Sequence, residues 1–260
     1  MPNFMRPIHF SLLFTLTPLM FAMGGCSAKP ATNTTVTTLT NPDVIAYPSI
    51  DSGLSEQLYP NEKVIAEQIA EVIEKSIRKQ YALGSARRDA HPKAHGCVRA
   101  EFQVLETLPK HLAKGLFIPG KKYQAWIRFS NGSPDATQAD IKKDARGMAI
   151  KVLAVSGAKR LEDEIATQDF IMINHPVFFV NDPNRYMSFM QDINSDRFFR
   201  KLHIPFALGS KGTLISLNLR TRISNPLQTR YWSMVPYQLG IGPDRQAVKY
   251  SARSCTAAVD

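Results

Sequence analysis

The residues best suited to acid–base chemistry lie in one short stretch, residues 85–104 (SARRDAHPKAHGCVRAEFQV). His91 and His95 stand between a basic pair, Arg87 and Arg88, and a run that enters a predicted strand. An imidazole can accept and donate a proton near neutral pH, and backbone that enters a sheet holds its side chains firmly. The stretch is therefore a candidate site, and the alternative interpretation is a surface loop with two solvated histidines.

The two histidines do not carry the signature of a metal site. Four residues apart, they would share one face of a helix, but Pro92 follows His91 directly and the segment leads into a strand. No glutamate stands beside them as a metalloprotease motif requires, and the chain has no Cys-x-x-Cys pair. The sequence therefore predicts no metal site built from these side chains.

The elements that must position the candidate site are one long helix followed by a series of strands. Apolar residues recur at helical spacing over residues 60–82, which predicts an amphipathic helix packed on the domain. Residues 184–203 are also predicted to be helical. Strands dominate the remainder, so the predicted fold class is α+β with an antiparallel sheet or barrel. Strands are predicted over residues 98–104, 123–130, 146–155, 169–180, 213–222, 231–238 and 246–252.

Composition limits the classes of function. The chain has 260 residues, of which 44% are hydrophobic and 21% are charged, as in a globular protein. The net charge of +10 is spread along the chain without a basic block. This pattern indicates a surface that attracts anions, and it predicts no nucleic-acid partner.

The N-terminus predicts export. Arg6 precedes an apolar run, Ile8 to Met23, and Gly24-Gly25-Cys26 follows it. A cysteine after two small residues resembles a bacterial lipoprotein signal in which Cys26 is lipidated, although Met23 stands where that signal usually has leucine. An uncleaved membrane anchor is the alternative, but the run is short for a span and contains a proline.

From this signal we expect three segments. Residues 1–25 are predicted to be a signal peptide, residues 26–55 a flexible tether, and residues 56–260 the folded domain. The lipid would anchor the protein to a membrane on its periplasmic side, and the serine after Cys26 resembles proteins sent to the outer membrane. The other two cysteines could pair in an exported protein, which the sequence leaves open.

Four motifs along the chain resemble the haem catalases, in the same order and at similar spacing. The similarity covers roughly residues 85–255 and is closest to the divergent branch with small catalase-like peroxidases and allene oxide synthases. The motifs are His91-Pro-Lys93 with Gly96, Arg128-Phe129-Ser130, Asp144-Ala-Arg146-Gly147-Met-Ala149-Ile-Lys151, and Asn174-His-Pro176-Val-Phe178-Phe179-Val-Asn-Asp182.

The resemblance implies a catalase-like antiparallel barrel with haem b at its side, of which this chain would hold about six of eight strands. It makes His91 the distal acid–base residue, with His95 as the alternative, and gives Ser130 the task of orienting the histidine. The same resemblance assigns haem contacts to four residues. Arg88 and Arg128 would bind the propionates, Phe178 would line the distal pocket, and Tyr186 would stack on the haem.

Two departures from the family pattern matter. The family's distal asparagine aligns with Ile173, so Asn174 could serve only if the backbone shifts locally. The family holds its iron through a tyrosine preceded four residues earlier by an arginine, whereas Tyr250 follows Gln246 by four residues and matches a barrel strand instead. We find no proximal ligand and expect a domain truncated at its C-terminal side.

The resemblance implies a haem-dependent oxidoreductase that consumes hydrogen peroxide or an organic hydroperoxide and protects the cell envelope. It leaves room for a homo-oligomer. The alternative function is a non-catalytic lipoprotein that keeps the fold and binds haem or an apolar ligand.

Overall fold

The computed structural model describes residues 50–157, 159 and 164–255. The predicted signal peptide, Cys26 and most of the predicted tether lie outside the described residues. In the last part of that tether, Ser52–Leu54 form a short 3-10 turn without a buried residue. Arg245 donates from Nη2 to Oδ1 of Asp51 at 2.7 Å, which ties the two ends of the described chain together.

Three helices are present in the described residues. The first, α1, spans Glu62–Gln80 and confirms the predicted amphipathic helix. The second, α2, spans Pro183–Ile193 and begins at Asp182, whose carboxylate accepts from the backbone N–H of Asn184 at 2.8 Å. The third, α3, spans Phe198–Leu219 and is kinked at Gly209, where φ is 69°.

The strand predicted over residues 213–222 is wrong, because residues up to Leu219 belong to α3. The segment alternates apolar and polar residues, which favours a strand in the sequence alone. In the structure its buried residues follow helical spacing through Leu208, Gly212 and Leu219. Gly212 allows the close approach, since a Cβ there would lie 2.6 Å from the carbonyl oxygen of Phe179.

The strands form one antiparallel sheet and a separate hairpin. Six strands pair in the order β1-β2-β3-β4-β5-β8, which confirms an incomplete antiparallel barrel of about six strands. Strands β6 and β7 pair only with each other. The bounds are β1 Ala94–Gln103, β2 Lys122–Asn131, β3 Arg146–Leu153, β4 Thr167–Ile173, β5 Tyr231–Ser233, β6 Tyr237–Leu239, β7 Gln246–Val248 and β8 Ser251–Ala252.

Successive side chains point to opposite faces of the sheet, and the two faces differ in chemistry. One face carries the hydrophobic core, centred on Phe102, Ile150 and Phe170. The other face carries Ser130, which pairs with Gly147 across β2 and β3. Ser130, one of the catalytic candidates, therefore lies on the face that the core does not occupy.

Phe170 is the side chain on which the aromatic part of the core depends. Its ring stacks on Phe102 at 6.0 Å between centroids and meets the edge of Tyr250 at 4.9 Å. Replacing Phe170 with Ala should lower the free energy of unfolding by about 3–5 kcal/mol, because it removes a buried ring and leaves a cavity.

The next residue on the same strand provides a control. Ile171 points away from the core and is 42% exposed, so Ile171→Ala should cost less than about 1 kcal/mol. Urea denaturation followed by circular dichroism measures both, and equal losses would contradict this assignment of the two faces.

Candidate functional site

The start of β1 separates the two candidate histidines. His91 precedes the strand in the left-handed backbone region, with φ of 57°, a conformation that costs free energy in a non-glycine residue. The β1–β2 pairing then shifts register, because Ala94 pairs with Ser130 whereas Gly96 pairs with Phe129. His95 is the extra residue of this bulge, and the two histidines consequently meet different neighbours.

His91 is held against the sheet by Ser130 and Gly147. Its Nδ1 lies 3.0 Å from the Ser130 hydroxyl oxygen, and Arg128 donates from Nη2 to the His91 carbonyl oxygen at 2.7 Å. A Cβ at Gly147 would lie 2.7 Å from both Nδ1 and Cε1 of His91. Only glycine therefore leaves room for the imidazole at this point of β3, and the ring is fixed on three sides.

The electrostatic surroundings keep His91 neutral. Burial lowers its pKa to about 4, and the positive charges of Arg128 and Arg88 act in the same direction, whereas Asp144 opposes them. A histidine with this pKa is unprotonated at neutral pH and can accept a proton from a bound molecule. Because Ser130 engages Nδ1, Nε2 is the nitrogen that remains to face such a molecule.

His95 belongs to a different hydrogen-bond network. Its Nε2 lies 2.5 Å from Oδ1 of Asn131, and its Nδ1 lies 3.7 Å from Oδ2 of Asp140. Arg146 donates from Nη1 to the same Asn131 oxygen at 2.6 Å. These are the contacts of a residue that stabilises the end of β2, so the geometry favours His91 over His95 as the acid–base residue.

Asn174 lies beyond the end of β4. Ile173 pairs with Gly147 and so shares the His91 face, whereas the next residue points the opposite way. The Asn174 side chain accepts from the backbone N–H of Arg146 at 2.8 Å and donates to the Leu219 carbonyl at 3.0 Å. These contacts give Asn174 a structural role, and its catalytic role stays a prediction.

Phe178 belongs to an aromatic cluster. It lies 5.9 Å from Tyr186 between ring centroids and 4.5 Å from Phe179. Burial raises the pKa of the Tyr186 hydroxyl, and the charge of Asp89 raises it further. The cluster brings together Phe178 and Tyr186, the two aromatic residues that the sequence predicts as haem contacts.

Sequence reasoning missed two residues that shape this site. Gly147 was noted only as part of a motif, although a glycine inside a strand indicates close approach of another group. Asn131, which precedes a glycine in the sequence, is typical of a turn, but it ends β2 and is fully buried. The burial of Asn131 depends on the bulge at the start of β1, and the sequence pattern does not reveal that bulge.

Metal-ligating side chains and cysteines could each add a site among the residues that the structure describes. No group of three or more His, Cys, Asp or Glu side chains there could hold a metal ion. Cys97 and Cys255 are not joined in a disulfide.

Comparison with known proteins supports a relationship to the catalases. Residues 75–198 match the family model described as Catalase. The catalase of Latilactobacillus sakei is 30% identical over 110 residues, which are 42% of this chain and 21% of that protein. The catalase of Methanosarcina barkeri is 31% identical over 104 residues, which are 40% of this chain and 19% of that protein. The chain thus spans about a fifth of the length of these relatives.

Solved catalase structures are also similar to this chain. Catalase A from Saccharomyces cerevisiae has a TM-score of 0.39 and 19% sequence identity, over 71% of this chain and 36% of that one. A fungal catalase has a TM-score of 0.40 and 18% identity, over 85% of this chain and 43% of that one.

The close contact between Gly147 and His91 predicts that one added methyl group disturbs the site locally. Gly147→Ala should displace the imidazole of His91, because the added methyl group would occupy space within 2.7 Å of the ring. Its matched control is Gly96→Ala, where a Cβ would have no neighbour within 4 Å. Two-dimensional NMR of the histidine rings should show a shifted His91 signal only in Gly147→Ala, and an unchanged signal would disprove the close approach.

The lowered pKa of His91 predicts acid sensitivity. The pKa is about 4 in the folded chain and about 6.5 in the unfolded chain, so the unfolded state binds more protons between these values. The free energy of unfolding should therefore fall as the pH falls from about 6.5 towards 4, by about 1 kcal/mol or less per pH unit.

The His91→Gln variant lacks this titration and should lose less stability over the same range. The difference between the two proteins, measured by urea denaturation at several pH values, isolates His91 from Asp89, whose own pKa is raised by burial. Parallel pH profiles would show that His91 is not kept neutral by the fold.

Proposed function

We propose that this protein is a peroxide-consuming oxidoreductase of the catalase type, with His91 as its acid–base residue. One observation carries the proposal: a neutral imidazole held by Ser130 above Gly147, beside Arg128. The relationship to the catalases supports a peroxide-related oxidoreductase at the level of the family.

His91 would move one proton in the reaction. Nε2 accepts the proton of a bound hydroperoxide and returns it to the oxygen that leaves, so the residue ends as it began. The lowered pKa ensures that the ring starts unprotonated at neutral pH. The hydroxyl of Ser130 fixes the orientation of the ring through Nδ1, which is the task of a positioning residue.

The surroundings of His91 fit the distal side of a haem group. Haem b, when bound, supplies the redox chemistry that breaks the O–O bond. Arg88 and Arg128 would hold its propionates, since guanidinium groups suit carboxylates. Phe178 would line the distal pocket, and Tyr186 would contact the haem ring. Gly147 and its neighbour on the same face, Ala149, add no bulk that would obstruct a flat group.

We assign no ligand for the iron among the residues that the structure describes. Tyr250 packs against the hydrophobic core, with its ring edge-on to Phe170 at 4.9 Å between centroids. The proposal for haem therefore depends on the distal residues and on the family relationship.

The substrate class includes hydrogen peroxide and organic hydroperoxides, and the cellular role would be protection of the envelope. The lipoprotein-like signal that ends at Cys26 supports an exported, membrane-anchored protein that faces the periplasm. A catalytic protein is favoured over a lipoprotein that only binds a ligand, because binding alone does not require a histidine held in a left-handed conformation with a lowered pKa.

The decisive experiment compares His91→Ala with His111→Ala after haem addition. His111 is exposed and stands outside the site, so its variant serves as the matched control. His91→Ala should keep the haem absorbance band but lose about 10²–10⁴-fold in peroxide turnover, whereas His111→Ala should keep both. Wild-type protein without stoichiometric haem, or equal turnover by the two variants, would overturn the proposal.

A further inference from the structure

Helix α3 exposes an unusual amount of apolar surface. Four large apolar side chains near its start lie mostly in solvent: Phe198 is 68% exposed, Phe199 82%, Leu202 54% and Phe206 77%. Two more follow after the kink, Leu214 at 62% and Leu217 at 63%. Several large apolar side chains exposed on one segment indicate a site of interaction.

The exposed residues do not belong to the face that packs on the domain. Ala207 and Leu208 are buried, and helical geometry places Leu208 roughly opposite the line through Phe199, Leu202 and Phe206, with Ala207 to one side of it. The first half of α3 is therefore apolar on two sides, of which only one contacts the protein.

Basic residues accompany this apolar surface without acidic ones. Residues 197–222 contain no Asp or Glu. Arg200 pairs with Asp192 of α2 at 3.0 Å, and the other cations extend along the length of the segment. The cations are Arg197, Arg200, Lys201, Lys211, Arg220 and Arg222.

We propose that α3 docks on the surface of a membrane that contains anionic lipids. Phe199, Leu202 and Phe206 would enter the boundary between headgroups and acyl chains, and the flanking cations would contact lipid phosphates. Exposed Phe and Leu combined with Lys and Arg are typical of helices that lie in the interface. Within the described residues no helix is long and apolar enough to span a bilayer, which agrees with a helix that lies on the surface.

The sequence before the domain favours a membrane over other partners. Cys26, the predicted site of lipidation, stands 25 residues before Asp51, which is already packed on the domain. A lipid at Cys26 would therefore keep the domain, and with it α3, close to the bilayer. A second copy of the chain is disfavoured on this face, because it would bring two basic segments together.

A fluorescence experiment reports on α3 alone. In the full-length chain, Phe206→Trp puts a tryptophan on the proposed surface, and Ile241→Trp puts one at an equally exposed position, 84% exposed, outside α3. Vesicles of equal parts phosphatidylglycerol and brominated phosphatidylcholine should quench the Phe206→Trp protein at least about twofold more than the control. The native residues Trp126 and Trp232 contribute the same background fluorescence in both proteins.

Charge reversal tests the electrostatic part. Adding Lys201→Glu and Lys211→Glu to the Phe206→Trp protein should reduce quenching, as should vesicles without phosphatidylglycerol. Equal quenching of the Phe206→Trp and Ile241→Trp proteins would overturn the proposal. A dimer in sedimentation that Phe199→Ser with Phe206→Ser abolishes would instead assign this face to a second copy.

Discussion

A buried arginine holds together the part of the chain on which the site is built. Arg146 is 1% exposed and donates to the side chain of Asn131 at 2.6 Å and to the carbonyl of Asp140 at 2.6 Å. Its carboxylate partner is Asp144, at 3.6 Å. A buried charge is costly unless it is paired and hydrogen-bonded, so these contacts fix the end of β2, the start of β3 and the loop between them in one arrangement. Ser130 and Gly147, which hold His91, are the immediate neighbours of Asn131 and Arg146.

This arrangement explains how His91 can be both strained and uncharged. A left-handed backbone conformation and a buried imidazole are each unfavourable in isolation. They persist because the strand ends that contact them cannot move without breaking the Arg146 contacts. The free energy that the site costs is offset by the core on the other face of the sheet, around Phe170 and Phe102.

The long strands of the sheet can be predicted from the sequence, and so can the stretch that contains His91, residues 85–104. Burial alternates over eight residues of β2 and over six residues of β3, and this local pattern determines their place in the sheet. The strand predicted over residues 213–222 failed for the opposite reason, because contacts with a distant backbone at Phe179 decide its helical form. The position of Asn174 and the division of roles between His91 and His95 also depend on strand register and a bulge, which composition and spacing do not encode.

The helix proposed to contact a membrane is joined to the same framework. The end of α3 accepts a hydrogen bond from Asn174 through the Leu219 carbonyl, and Thr221 exchanges backbone hydrogen bonds with Asp144, the partner of Arg146. Gly212 packs against the backbone of Phe179, which belongs to the aromatic cluster with Tyr186. These contacts join α3 to the strand ends that hold His91, so a domain docked through α3 would present His91 at a fixed height and orientation relative to the membrane. The same contacts explain why a helix with two apolar sides remains attached to the domain through only one of them.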